Sequence, residues 1–308
     1  MTLPVFTHPA CLAHDPGVLH AERPARLAAV IEALREHLPT LDWREAPRAT
    51  RGQLLRVHTD EHLALVLDTR VERGTVQLDP DTFLGPSSAE AGLRAAGAAV
   101  AAVDAVMSGA WTRAFCAVRP PGHHATADVA MGFCLFNSVA VAAAHALDRH
   151  GLSRVAVVDF DVHHGNGTQA IFESDARVLF LSSHQSPLYP DSGFEHERGV
   201  GNVLNAPLPP GTASEGFRGA WRERLLPALH AFRPQLVLVS AGFDAHQRDP
   251  LAQLRLTGDD YAWITAELVA AADRHAAGRL VSLLEGGYDL AALRESSVAH
   301  VRALLGAG

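Results

Sequence analysis

The residues Val155-Ala156-Val157-Val158-Asp159-Phe160-Asp161-Val162-His163-His164-Gly165-Asn166-Gly167 constrain the fold of this chain more than any others. An unbroken apolar run rich in β-branched residues predicts a strand buried on both faces. Carboxylates and imidazoles follow it directly. Alternation along an extended chain sends Asp159, Asp161 and His163 to one side. Carboxylate oxygen together with neutral imidazole nitrogen suits a divalent ion such as zinc. An acidic strand end with capping histidines is the alternative, and the weaker one, because polar residues this dense beside a buried strand are costly unless something binds them.

Composition narrows the classes that remain. A chain of 308 residues can bury a large core, and no Ser/Gly/Pro-rich linker divides it, which predicts one domain over 1–308. The balance of 34 acids against 26 bases, a formal charge of −8, argues against a nucleic-acid surface, which relies on clustered Lys and Arg. Cationic partners such as histone tails or polyamines are compatible with that charge. Three scattered cysteines, Cys11, Cys116 and Cys134, are too few for a disulfide scaffold and read as reduced thiols of a cytoplasmic protein. The N-terminus lacks a cationic stretch leading into an apolar run, and no segment is long and apolar enough to span a bilayer.

Strands are expected at 114–118, 155–158, 178–181, 236–239 and 280–284, and helices at 24–37, 87–107, 135–150, 214–231, 259–277 and 290–305. Such alternation implies right-handed βαβ units and a mainly parallel sheet with helices on both faces. Unusual residues follow four of the five strands: Arg119 to His124, Asp159 to His164, Ser240 to Asp244, and Glu285 to Tyr288. Ligands of open α/β sheets bind at the carboxyl ends of strands, so these segments are expected to meet in one pocket. Asp244 would complete a metal set with Asp161 and His163 and leave a position open, the pattern of a catalytic zinc. His123 and His124 then read as a proton-handling pair, and Tyr288, on a flexible glycine loop, as a donor to a developing oxyanion. Gly132 and Phe133 either begin a helix or wall a narrow channel.

The blocks Arg119-Pro-Pro-Gly-His-His-Ala125, Gly132-Phe-Cys-Leu-Phe-Asn137, Asp159-Phe-Asp-Val-His-His-Gly-Asn-Gly167, Ala241-Gly-Phe-Asp-Ala-His246 and Leu284-Glu-Gly-Gly-Tyr288 resemble the signature motifs of the histone deacetylase superfamily, in its class II and bacterial branch. The resemblance runs from His20 to Tyr288. It implies the arginase/deacetylase α/β fold and zinc-dependent hydrolysis of an acyl amide on an amine. By the same resemblance Asp161, His163 and Asp244 would ligate zinc, His124 would be the general base, and His123 its electrostatic partner or acid. Asp159 would orient His123, Asn166 would support His124, and Tyr288 would polarise the carbonyl. Potassium is implied at an inner site of Asp159, Asp161, His163, Ser182 and Ser183, and at an outer site of Phe172, Asp175, Val178 and Asn202. Phe133 and Phe194 would wall the channel, and Asp81, in competition with Asp79, would be a rim carboxylate. Arg26 matches the arginine of an internal channel for released acetate.

Two substrate classes carry an amide on a slim alkyl chain, acyl-lysine in proteins and acetylated polyamine. The polyamine-selective branch has a gatekeeper glutamate just after an Asp-Pro pair. Here Leu251 follows Asp249-Pro250, which favours acyl-lysine. A manganese ureohydrolase would need further aspartates for a second metal, and an inert acyl-lysine reader would not need ligands, paired histidines and tyrosine together.

Overall fold

Runs such as Leu236-Val237-Leu238-Val239 have no polar side to turn toward water, so they are stable only as strands covered on both faces. The computed structural model describes residues 2–306, so Met1, Ala307 and Gly308, the ends of the expected 1–308 domain, lie outside the described residues. Its strands are β1 (Pro4–Thr7), β2 (Asp42–Glu45), β3 (Val76–Asp79), β4 (Thr82–Leu84), β5 (Arg113–Cys116), β6 (Val155–Asp159), β7 (Val178–Gln185), β8 (Val203–Leu208), β9 (Leu236–Ala241) and β10 (Leu280–Leu284). The helices are α1 (Pro9–Ala13), α2 (Pro24–His37), α3 (Arg51–Leu54), α4 (Asp60–Asp68), α5 (Ser88–Met107), α6 (Ser138–Arg149), α7 (Asn166–Phe172), α8 (Ser214–Ala220), α9 (Leu226–Phe232), α10 (Gly258–His275) and α11 (Leu290–Leu304).

Eight strands form one sheet in the order β2-β1-β5-β10-β9-β6-β7-β8, and every neighbouring pair is parallel. The hairpin β3–β4 stands apart. Every residue of β6, β9 and β10 is buried, as the absence of alternation predicts. α5 packs on β1, β5 and β10, α6 on β6 and β9, and α10 and α11 on each other. The four strands whose ends carry the polar clusters, β5, β10, β9 and β6, are consecutive neighbours in the sheet. Residues as far apart as His123 and Tyr288 are therefore delivered to one edge.

Several elements differ from expectation. β1, β2 and β8 were not foreseen: β2 is a half-exposed edge strand with no alternating pattern, and β8 carries Pro207, which an edge tolerates. β7 runs on through Ser182 and Ser183 to Gln185. The helix expected at 135–150 begins only at Ser138, where the Asn137 side chain accepts from Ala140 N–H at 3.0 Å. The helix expected at 214–231 divides into α8, a π-helical turn Trp221–Leu225 and α9, and the turn carries Trp221 Nε1 to 3.0 Å from Ser183 Oγ, to which it donates.

α5 shows how closely the alanine-rich helices pack. The segment around Pro47 crosses it at Gly97, where an added Cβ would lie 2.0 Å from the Pro47 carbonyl oxygen, and Ala49 N–H donates to Leu93 O at 2.9 Å. Glycine to alanine within a helix ordinarily stabilises by up to about 1 kcal/mol. Gly97→Ala is expected to reverse that sign, losing about 1–3 kcal/mol through overpacking. Gly219→Ala in α8, with nothing within 4 Å of its Cβ, should be neutral or stabilising. Thermal melts of the two variants check this, and a Gly97→Ala melt at or above that of the parent would show that the crossing segment yields.

Candidate active site

β6 ends at Asp159, so Asp161 and His163 lie beyond the strand and alternation alone does not aim them. Carboxylates do so instead. Asp159 Oδ1 accepts from Asp161 N–H at 3.1 Å, and Asp161 Oδ1 accepts from His163 N–H at 2.9 Å, two successive aspartate turns that coil the chain. Asp244, after β9, joins them by accepting from Val162 N–H at 2.9 Å through Oδ1. Ligand atoms of Asp161, His163 and Asp244 lie within 4.8 Å of one another, all buried. Asp244 Oδ2 has no hydrogen-bond partner although it is buried, and it faces His163 Nδ1 at 3.2 Å. Burial opposes protonation of His163, yet Asp161 and Asp244 push its pKa up to about 10. Two carboxylates this close, one with an orphaned oxygen, make a place for a cation, and the O/O/N donor set fits zinc.

The paired histidines after β5 differ in charge. His123 Nδ1 lies 2.9 Å from Asp159 Oδ2, and although burial opposes it, Asp159 and then Asp161 hold this imidazole well above the ordinary histidine range. His124, whose ring centre is 4.0 Å away, is held well below that range by burial and by the positive charge of His123 and His163. Its Nδ1–H donates to Asn166 Oδ1 at 2.7 Å, which leaves Nε2 as the basic atom. Glycine is required at position 132, where φ is +57° and a Cβ would lie 2.4 Å from His124 Cδ2.

The loop after β10 is held at every residue and is not the flexible element expected of paired glycines. Gly286 N–H donates to Asp161 Oδ2 at 2.8 Å, and Gly286 O accepts from Phe243 N–H at 3.0 Å. Gly287 O accepts from Arg26 Nε at 2.5 Å, and Tyr288 N–H donates to Asp249 Oδ2 at 2.8 Å. Burial holds the Tyr288 phenol well above its ordinary pKa, so it stays a donor. The Arg26 guanidinium stacks 4.7 Å from the Tyr288 ring centre. A pocket of about 250 Å³ has His124, His163 and Tyr288 at its buried end, and Phe133, Leu188, Tyr189, Leu251, Gly132 and Asp81 around it.

Residues 20–304 match the histone deacetylase domain family. The chain belongs to the histone deacetylase family. It is 43% identical over 295 residues to the histone deacetylase-like amidohydrolase of Pseudomonas aeruginosa, covering 93% of this chain and 77% of that one. It is 38% identical to a probable deacetylase of Archaeoglobus fulgidus, covering 99% and 87%. To Polyamine deacetylase HDAC10 of Homo sapiens it is 39% identical, covering 92% of this chain and 44% of that one. The crystal structure of the HDA15 HD domain superposes with a TM-score of 0.93 at 36% identity, covering 99% of this chain and 89% of that one.

Within this histone deacetylase fold most of the expected site residues meet, and some do not. Phe194 lies outside the pocket, 40% exposed and stacked on His196. Tyr189 takes the wall opposite Phe133, its ring centre 5.2 Å from that of His124. Its only sequence signal was an aromatic residue just before Pro190. Asp81 and not Asp79 lines the pocket, where its Oδ1 accepts from Gly132 N–H at 3.0 Å. Arg26 is fully buried and spends its donors on Gly287 O, Glu285 O and Glu22 Oε1 as a clamp on the tyrosine loop. Glu285 went unassigned in the sequence, yet its Oε2 accepts from Gly122 N–H at 2.6 Å and His123 N–H at 3.3 Å, joining the ends of β5 and β10. Burial pushes its pKa up to about 7.

Of the residues implied for potassium, Asp159 stands in register with Ser182 across β6 and β7, and carboxylate, hydroxyl and carbonyl oxygens there suit a hard cation. Phe172, Asp175, Val178 and Asn202 are also brought together, through the Asn202 side-chain amide. A surface group of Asp104, His145 and His150 is accounted for by hydrogen bonds, Asp104 Oδ1 lying 2.8 and 2.7 Å from the two Nε2 atoms.

Asn166→Asp tests the His124 environment. An added carboxylate beside Nδ1 favours the imidazolium, so the His124 pKa should rise by about one to three pH units, and the fraction of neutral base at a given acidic pH should fall. Titration of the labelled imidazole by NMR measures this. An unmoved pKa would mean that Asn166 does not touch His124.

Proposed function

We propose that the chain is a zinc-dependent deacetylase that hydrolyses the amide of acetyl-lysine, or of lysine carrying another short acyl group, in proteins. The observation that carries this reading is the single pocket in which neutral His124, His163 of the ligand trio and the Tyr288 phenol share the buried end. Zinc held by Asp161, His163 and Asp244 would supply Lewis acidity toward the amide carbonyl and the attacking water. His124, with Nε2 unprotonated, takes the proton from that water as its oxygen bonds to the carbonyl carbon. Tyr288 donates a hydrogen bond to the carbonyl oxygen as charge builds there. His123, kept charged by Asp159, stabilises that charge from 4.0 Å behind His124. When the C–N bond breaks, the proton on His124 passes to the leaving lysine amine.

Phe133 and Tyr189 leave room for a slim alkyl chain, and the rim carboxylate Asp81 suits a substrate N–H. Leu251 lines the pocket where the polyamine-selective branch would carry a glutamate, which supports acyl-lysine over acetylated polyamine. We assign the whole of 1–308 to one catalytic domain, with a structural potassium ion at the inner residues Asp159, Asp161, His163, Ser182 and Ser183. Three buried free cysteines and the absence, among the described residues, of a helix fit to cross a membrane support action in the cytoplasm. Neither nucleic acid nor membrane is assigned as a partner.

Turnover of acetyl-lysine peptides, longer acyl-lysines and acetylated polyamines by the zinc-loaded protein tests the reading. A higher kcat/KM on acetylated polyamines than on every peptide would overturn the substrate assignment. Elemental analysis should find one tightly held zinc per chain, and Asp244→Ala should lose it. Two transition metals per chain would favour a ureohydrolase-like centre instead. Tyr288→Phe should keep fold and zinc while kcat falls by roughly a hundred-fold, the scale of one oxyanion donor, with little change in KM. Loss confined to KM would make Tyr288 a substrate-packing residue.

A further inference from the structure

We propose that the Asn202 side-chain amide permanently occupies the outer position that the family resemblance gives to a second potassium ion, so that this chain binds no cation there. Three backbone carbonyls point to one place. Phe172 O closes α7, Asp175 O belongs to the turn that follows, and Val178 O opens β7. Asn202 Nδ2 sits among them at 2.7, 3.0 and 2.8 Å. Its two hydrogens are shared among the three oxygens, and it stands where an ion held by those carbonyls would stand.

The orientation of the amide is decided by what surrounds it. Its Oδ1 accepts from Val200 N–H at 3.2 Å. Turning the amide over would press Oδ1 against three carbonyl oxygens and leave Nδ2 against an N–H donor, losing every contact at once. Nor can the side chain easily swing away. Asn202 is only 4% exposed, and the loop beside it is so close that a Cβ on Gly199 would lie 2.7 Å from Oδ1 and 2.4 Å from Glu173 O. Val200 N–H also donates to Glu173 O at 2.8 Å, tying that loop to the end of α7. A neutral NH2 thus fills the place where the three carbonyls meet, using their second lone pairs, since Phe172 O also accepts from Asp175 N–H at 2.9 Å and Asp175 O from Val178 N–H at 3.0 Å. Its partial positive charge suffices because the carbonyls are uncharged. The inner residues, by contrast, include the carboxylates of Asp159 and Asp161, and no side-chain amide among the described residues is hydrogen-bonded to them.

Crystals of the full protein soaked in rubidium or thallium chloride give the direct test. No anomalous peak should appear among Phe172, Asp175, Val178 and Asn202, whatever is found beside Ser182. A peak there of occupancy comparable to any other monovalent site, with the Asn202 amide displaced, would overturn the proposal. Asn202→Asp supplies the converse. A carboxylate has no hydrogen to give the three carbonyls, so this variant should recruit the ion. Its melting temperature should rise in potassium chloride relative to tetramethylammonium chloride at equal ionic strength, by more than that of the parent, and it should acquire the anomalous peak. A folded variant without either change would also count against the proposal. Should the variant fail to fold, the soaked parent crystals still decide.

Discussion

Five carboxylates taken out of water, Asp159, Asp161, Asp244, Asp249 and Glu285, are what the rest of the structure arranges itself around. Asp159, Asp161, Asp244 and Glu285 stand at or just beyond the ends of central strands and Asp249 in the connection after β9, where hydration is gone and only hydrogen bonds or positive charge can replace it. The loops answer with backbone N–H groups: Asp161, Val162, His163, Gly122, Gly286 and Tyr288 each donate to one of these carboxylates. The same bonds that solvate the acids therefore fix the geometry of the candidate site. The Asp244 oxygen left without a partner and the imidazole between Asp161 and Asp244 mark where a cation would complete the set.

Charge is divided unequally across a short distance. His123 leans on a carboxylate and His124 on a neutral amide, so adjacent imidazoles that would otherwise behave alike are separated into a charged partner and a neutral base. The tyrosine loop is treated with the same economy of motion. Arg26 and Asp249 hold it from either side, and a Cβ at Gly286 would meet Asp244 Oδ2 at 2.0 Å, so closeness to the ligands and not mobility is what glycine provides there. In the proposed role, a donor held this rigidly would need no reorganisation as charge builds on the substrate.

Much of this was legible in the residues. The buried strands were, because an unbroken apolar run has one stable environment, and so was the meeting of Asp161, His163 and Asp244 with the paired histidines and Tyr288, because all follow the ends of neighbouring strands. β1, β2 and β8 were not: β2 and β8 are edge strands with a single neighbour each, and β1, between β2 and β5, is only four residues long, too short to leave a periodic trace. Phe194 was misplaced and Tyr189 missed for a related reason. Both lie in a long connection between β7 and β8, where nothing in local sequence says which aromatic ring faces the pocket.

By itself the sequence determined the chemistry available: which groups can ligate, titrate or donate, and that they stand at the ends of buried strands. Only the tertiary structure decided how they combine. Strands that are fifth, tenth, ninth and sixth along the chain become neighbours, so Asp244 and Gly286 reach groups more than eighty residues away. It also decided what each group became. Charge on His123, neutrality on His124 and the lodging of the Asn202 amide among three carbonyls all depend on distances of about 3 Å between distant segments. Hydrogen bonding and desolvation act over such distances, and no local pattern of residues encodes them.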